Sequence, residues 1–173
     1  MKKILFAAFA MSMFASCTND ATTTTKVTTE EQKNVAASDV IMKAFQTGDV
    51  SGIDSVVSDD FLDHTDRGDM KGRDSLKSMV KFVTANFTNM KAEKKREIAD
   101  GEYVWSWLRF TGNSNGTVPG MPKGPYDMES IELSKFKDGK AVEHWSFMEV
   151  QDMMKMMPPP PPPSKNTTDT TKK

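Results

Sequence analysis

Two histidines, His64 and His144, are the only side chains of this 173-residue chain with an ordinary pKa near neutrality. His144 lies in the stretch DGKAVEHWSFMEV, Asp138–Val150. The opening Asp138-Gly139 is a hairpin signal, because a type I′ turn needs positive φ at both central positions. After the turn Val142, His144, Ser146 and Met148 alternate with Glu143, Trp145, Phe147 and Glu149, and period two means a strand with two faces. An imidazole and a hydroxyl between Val142 and Met148 are the polar minority expected in the wall of a buried pocket. The same pattern also suits a half-exposed strand whose histidine meets water. His64 follows a carboxylate, Asp63, and either imidazole could act as a general acid or base. A structural use, with Asp63-His64 capping or stapling a loop, fits the pair equally.

Other chemistries find few residues to carry them. The chain has no G-x-S-x-G elbow, no H-E-x-x-H, and neither G-x-x-x-x-G-K-[ST] nor G-x-G-x-x-G. The acidic run Asp59, Asp60, Asp63, Asp66 and Asp69 lacks the ligand spacing and terminal glutamate of an EF-hand. Two histidines and a carboxylate match no known metal ligand set. We therefore expect no metal and no cofactor. With 23 basic and 24 acidic side chains, neither nucleic acid nor an anionic membrane surface is implied as a partner. Fourteen methionines are many for one domain, and thioethers fill irregular apolar space and adapt to varied ligands.

The elements that must position these groups follow in order. Glu30–Gln46 predicts a helix, with Ala37, Val40, Ile41, Ala44 and Phe45 as its apolar stripe and Gly48 as its stop. Ser51–Val57 predicts a short second helix, and Phe61–Asp66 an extended segment ending in a turn at Arg67-Gly68-Asp69. Arg73–Phe87 predicts a third helix, whose Leu76, Met79, Val80, Val83 and Phe87 form a stripe made to lie on a sheet. Met90–Ala99 carries charge on both faces, as an edge strand does. On the strand Glu102–Thr111 we assign Val104, Ser106, Leu108 and Phe110 to the helices and pocket. Tyr103, Trp105, Trp107 and Arg109 then face the other way, and that much aromatic area must meet something, a second copy or the chain's own C-terminus. Gly112–Pro125 predicts a loop at the pocket rim, Tyr126–Lys137 the partner of the closing strand, and Val150–Met157 a last helical turn or two.

Several stretches carry a family resemblance in consistent order. Phe61-Leu62-Asp63-His64 resembles an F-x-D-H motif, Lys71–Leu76 an x-G-R-x-x-L helix start, and Asp100–Val104 running on to Thr111-Gly112 a central strand. Gly120–Gly124 resembles a G-x-P-x-x-G loop one residue short, and DGKxVEHW a closing hairpin. Together, over about residues 35–157, they resemble the SnoaL-like polyketide cyclases of the nuclear-transport-factor-2-like superfamily. The resemblance implies an α+β cone, with about three N-terminal helices packed on a strongly curved antiparallel sheet. It implies that both histidines approach one cavity with Asp63 orienting an imidazole, which makes His144, His64 and Asp63 the candidate catalytic residues. It also implies a homodimer through the Tyr103/Trp105/Trp107 face. In these cyclases the residue two after the EHW histidine is typically a general-base aspartate. Here it is Ser146, whose hydroxyl cannot remove a C–H proton unless another group activates it. Cyclase activity is therefore not carried over, and a cavity carboxyl could come only from Asp63, Asp127 or Glu132.

At the N-terminus, Met1-Lys2-Lys3 is a basic start, Ile4–Phe14 an apolar stretch too short to span a bilayer, and Phe14-Ala15-Ser16-Cys17 resembles a bacterial lipobox. The expected organisation is a lipoprotein signal peptide over 1–16, lipidation at Cys17, a Thr-rich tether over 17–33, the domain over 34–157, and a polyproline and polar tail over 158–173. A plain cleaved signal peptide with a chance cysteine is the alternative. The sequence thus leads to a protein anchored in the bacterial cell envelope, periplasmic or surface-exposed, that binds a small, largely apolar molecule. Met79, Met90, Met128 and Met148 would line its cone, and His64, His144 and Ser146 would orient the ligand. The competing readings are an isomerase- or cyclase-type enzyme using His144 or His64, and a structural dimerisation module whose cavity is filled by side chains.

Overall fold

The computed structural model describes residues 27–65 and 68–156. Cys17, most of the Thr-rich segment, Asp66-Arg67 and the proline run lie outside the described residues. Helix α1 (Thr29–Thr47) starts on a capping box: the Thr28 hydroxyl accepts from the Glu31 N–H at 3.1 Å, and Glu31 Oε2 accepts from the Thr28 N–H at 2.6 Å. It ends at Gly48, whose φ of 78° supplies the left-handed cap. Two polar side chains of its first turns reach across the fold. Glu31 Oε1 accepts from the Gly101 N–H at 3.0 Å, and Asn34 Nδ2 donates to the Gly101 carbonyl at 3.1 Å, which ties the helix to a hairpin turn of the sheet.

After α1 come α2 (Ile53–Val56), β1 (Val57–Thr65), β2 (Gly68–Lys71), α3 (Arg73–Asn86), β3 (Phe87–Asp100), β4 (Tyr103–Ser114), β5 (Gly124–Lys137), β6 (Lys140–Met148) and α4 (Val150–Met156). The strands form one sheet in the order β2-β1-β6-β5-β4-β3. The sheet curves without closing, and α1, α2 and α3 pack into its concave side, as an α+β cone requires. It is not wholly antiparallel, because β1 and β6 run parallel. A parallel pair needs a long crossover, and everything from β2 to β5 supplies it. The β5–β6 turn has the geometry its sequence predicts, with φ of 53° at Asp138 and 75° at Gly139. The expected loop at 112–125 is shorter than predicted, since Gly112, Asn113 and Ser114 still pair with Tyr126, Pro125 and Gly124.

Two β-bulges decide which side chains face the concavity. On β6, Phe136 pairs with Ala141 and Lys135 with Glu143, so Val142 is an extra residue, and Ala141 and His144 both turn inward. On β3, Lys94 pairs with Leu108 and Arg96 with Trp107, so Lys95 is extra, and Lys94 and Glu97 both turn inward. The core lies beneath the helices. Ile53, Val57, Val80, Val104, Phe136 and Ala141, from six different elements, are each at most 1% exposed. Strand β3 is at the sheet's edge, where its alternating charges suit a border that must not recruit another strand.

Candidate functional site

Between the helices and the concave face lies a cavity of about 380 Å³. Its wall is mostly apolar: Ile41, Met42 and Phe45 come from α1, Leu108 and Phe110 from β4, and Val118 and Met121 close the rim. Met90, Met128 and Met148 line it as their strand positions predict. Met79 does not. It faces away from the cone, into a shallow depression with Met70, Ser75 and Phe82, because the part of α3 turned to the cavity is that of Leu76 and Val83.

The polar part of the wall is built around His144. Its Nδ1 lies 2.8 Å from Asp63 Oδ1 and its Nε2 2.9 Å from Glu132 Oε2. Strand pairing explains both approaches: Asp63 is the register partner of His144 on β1, and Ser134, two residues beyond Glu132, is its partner on β5. Glu132 Oε1 accepts from the Ser146 hydroxyl at 3.0 Å and also from the Ser130 hydroxyl. Neither carboxylate can donate, so both ring nitrogens must carry hydrogen, and the ring is an imidazolium. Burial works against that charge, but the hydrogen bonds and charges of Asp63 and Glu132 overcome it and hold the His144 pKa up at about 9. A ring with both N–H groups engaged cannot take up a proton. In that form His144 is the cation that keeps two carboxylates in an apolar hollow.

The expectation that His64 shares this cavity is corrected. Neighbouring residues on a strand point to opposite faces, so with Asp63 inward His64 must point outward. There its ring stacks on Trp145 with centroids 4.8 Å apart, its Nδ1 meets Asp69 Oδ1 at 3.0 Å and its Nε2 meets Glu143 Oε2 at 3.4 Å. Burial lowers the His64 pKa and the two carboxylates more than offset this, for a net rise. Asp63 orients an imidazole as anticipated, but that of His144. Ser146 is exposed and spends its hydroxyl on Glu132 instead of forming part of the cavity wall. Asp127 lies outside the cavity, paired through both oxygens with Arg109 at 2.8 and 2.5 Å.

Glu132 enters the sequence reading only as one of three carboxyl sources, yet it completes the cluster. Ser106 lines the cavity as its face of β4 predicts, whereas Lys94 and Tyr126 on the wall were not anticipated as site residues. Lys94 Nζ lies 2.6 Å from Asp39 Oδ1 and 2.7 Å from Glu97 Oε2, and the Ser106 hydroxyl donates to Glu97 Oε2 at 3.0 Å. Burial lowers the Lys94 pKa, and the two carboxylates raise it by more.

A curved sheet enclosing an apolar hollow under N-terminal helices defines a nuclear-transport-factor-2-like cone. A model of the SnoaL-like polyketide cyclase family matches residues 35–157, and the chain belongs to that family. A protein from Jannaschia sp. CCS1 named for the same family shares 17% identity at a TM-score of 0.66, the match covering 79% of this chain and 99% of that one. IdmH from Streptomyces antibioticus, a candidate polyketide cyclase, shares 20% at 0.58 over 73% of this chain and 96% of its own. An epoxide hydrolase of M. tuberculosis described as LEH-like shares 17% at 0.61 over 75% and 88%. At these identities the likeness is one of fold. A search among curated proteins gives no match.

Proposed function

We propose that the cone binds a small, largely apolar molecule, held by the wall methionines and aromatic rings and oriented by the Asp63–His144–Glu132 cluster. The observation that carries this reading is the hollow itself: about 380 Å³, apolar almost throughout, with its charged groups drawn into compact clusters. A purely structural module would fill that volume with side chains. Native mass spectrometry of protein purified from its host tests the reading. A co-purified small molecule, lost on Leu108→Trp, supports it. A clean apo mass, together with no thermal shift across a library of lipids and aromatics, would count against it.

The same cluster favours a second reading, an isomerase- or cyclase-type enzyme. Two carboxylates fixed in an apolar cavity could take a proton from a bound substrate, with Asp63 the better placed because it meets His144 through Oδ1 alone among the described residues. Turnover lost on Asp63→Asn with ligand binding retained would establish it. We further propose that the protein is lipidated at Cys17 and held in the cell envelope, where Cys17→Ala releases it from the membrane fraction. Dimerisation through the Tyr103/Trp105/Trp107 face completes the proposal.

A further inference from the structure

The cavity wall carries two cations, and each is flanked by two carboxylates. Asp63 and Glu132 bracket His144 at 2.8 and 2.9 Å, and Asp39 and Glu97 bracket Lys94 at 2.6 and 2.7 Å. Each trio has a formal charge of −1; Asp63 and Glu132 stand on the wall itself, whereas Asp39 and Glu97 lie behind Lys94 and offset its charge. The two trios are linked along one row of the sheet. Glu97 pairs with Ser106, Ser106 with Glu132 and Glu132 with Ser146, each on the adjoining strand.

The His144 donors are already engaged, and Lys94 gives two of its three N–H groups to carboxylates. The Ser106 and Ser146 hydroxyls point to Glu97 and Glu132. The wall therefore offers a ligand acceptors: the second oxygen of Asp63 and the lone pairs of the Ser106 hydroxyl. The hydroxyls of Ser38, Ser134 and Tyr126, also on the wall, can donate or accept and do not reverse the bias. Phe45, Phe61, Phe87, Phe110 and Tyr126 add ring faces, which attract a cation and not an anion.

From this arrangement we infer that the ligand is an apolar molecule bearing a hydrogen-bond donor, an amine or an alcohol, and that apolar carboxylates such as fatty acids are excluded. The inference rests on the cone being a ligand site and names the class of molecule it takes. Discrimination here comes from the repulsive element as much as from the attractive one. An anion entering at the His144 end would face a net negative trio with little water to screen it, and at the other end a Lys94 whose charge two carboxylates already offset.

Isothermal titration of the purified chain with three probes of one shape tests this: 2-naphthylmethylammonium, 2-naphthylmethanol and 2-naphthoate. The ammonium and the alcohol should bind, the naphthoate at least about tenfold more weakly. Asp63→Asn and, independently, Glu97→Gln each remove one negative charge and should narrow the gap between ammonium and naphthoate. Either variant suffices if the other fails to fold. Naphthoate binding as tightly as the ammonium, or a gap that neither substitution narrows, would overturn the inference while leaving the cone a ligand site. Failure of all three probes would remove both readings.

Discussion

His144 Nδ1 lies 2.8 Å from Asp63 Oδ1, although 81 positions separate the two residues. They sit side by side because β6 pairs in parallel with β1, so the last strand of the domain lends its imidazole to a carboxylate on the first. With Glu132 on the third side, the cluster crosslinks three strands through one ring.

Removing that ring should destabilise the fold more than its size suggests. In His144→Gln an amide replaces the imidazolium, and the carboxylates of Asp63 and Glu132 face the hollow without their cation. Breaking a buried pair from one side costs about 3 kcal/mol. Urea unfolding of the variant beside the parent measures it, and a loss below about 1 kcal/mol would mean that the carboxylates are solvated in some other way.

The same group should make stability fall in mild alkali. The folded-state pKa of about 9 lies above the ordinary value of 6.5, so the folded form holds its proton more tightly than the unfolded chain. The contribution is complete below about pH 6.5, shrinks as pH rises, and is gone above about pH 9. It amounts to about 3 kcal/mol at most. The raised pKa of His64 adds a change of the same sign from the outer face. Unfolding midpoints at pH 6 and pH 9 should therefore differ clearly in the parent and much less in His144→Gln. Equal slopes in the two proteins would assign the effect elsewhere.

Much of this arrangement is legible in the sequence, and the part that is not has an identifiable cause. Alternation correctly put Val104, Ser106 and Leu108 on the buried face of β4, and the Asp138-Gly139 turn fixed the last hairpin. Counting back from that turn without interruption, however, sets Glu132 opposite Trp145, on the outer face. Only the extra residue at Val142 shifts the register so that Glu132 meets Ser146 and Ser134 meets His144. A bulge leaves no composition signal, so Glu132 stayed one carboxyl among three. The bulge at Lys95 hid the inward turn of Lys94 and Glu97 in the same way. The error at His64 was of another kind, since the alternation rule applied to Asp63-His64 already forbids both from facing one cavity.

Gly112 offers a test of the rim. A Cβ built there would lie 2.7 Å from the Tyr126 hydroxyl and 3.0 Å from the Thr88 carbonyl. Tyr126 lines the cavity and packs edge-on against Phe87, so it cannot withdraw freely. Gly112→Ala should cost about 1–3 kcal/mol through overpacking. Combining it with Tyr126→Ala should cost less than the two single changes added together, because the second change removes the side-chain part of the clash. A double-mutant cycle by urea unfolding reads the coupling, and strict additivity would show that the Thr88 carbonyl alone limits the site.

The outer face of the sheet bears on assembly. Ile98 pairs with Trp105, Trp107 with Ile131, and Ile131 with Phe147, so apolar side chains run across four strands. Ile98, Trp105, Trp107 and Phe147 are 54%, 42%, 45% and 52% exposed, an apolar band of the kind that marks an interaction surface. Beside them Arg109–Asp127 and Trp107–Glu129 supply paired polar groups suited to a rim. Sedimentation velocity should accordingly find a dimer, and Trp105→Glu should yield monomers whose unfolding midpoint is nearly that of the parent. The substitution places a charge at the centre of the band yet removes little packing within one copy. A monomeric parent, or a variant that dimerises unchanged, would move the interface away from this face.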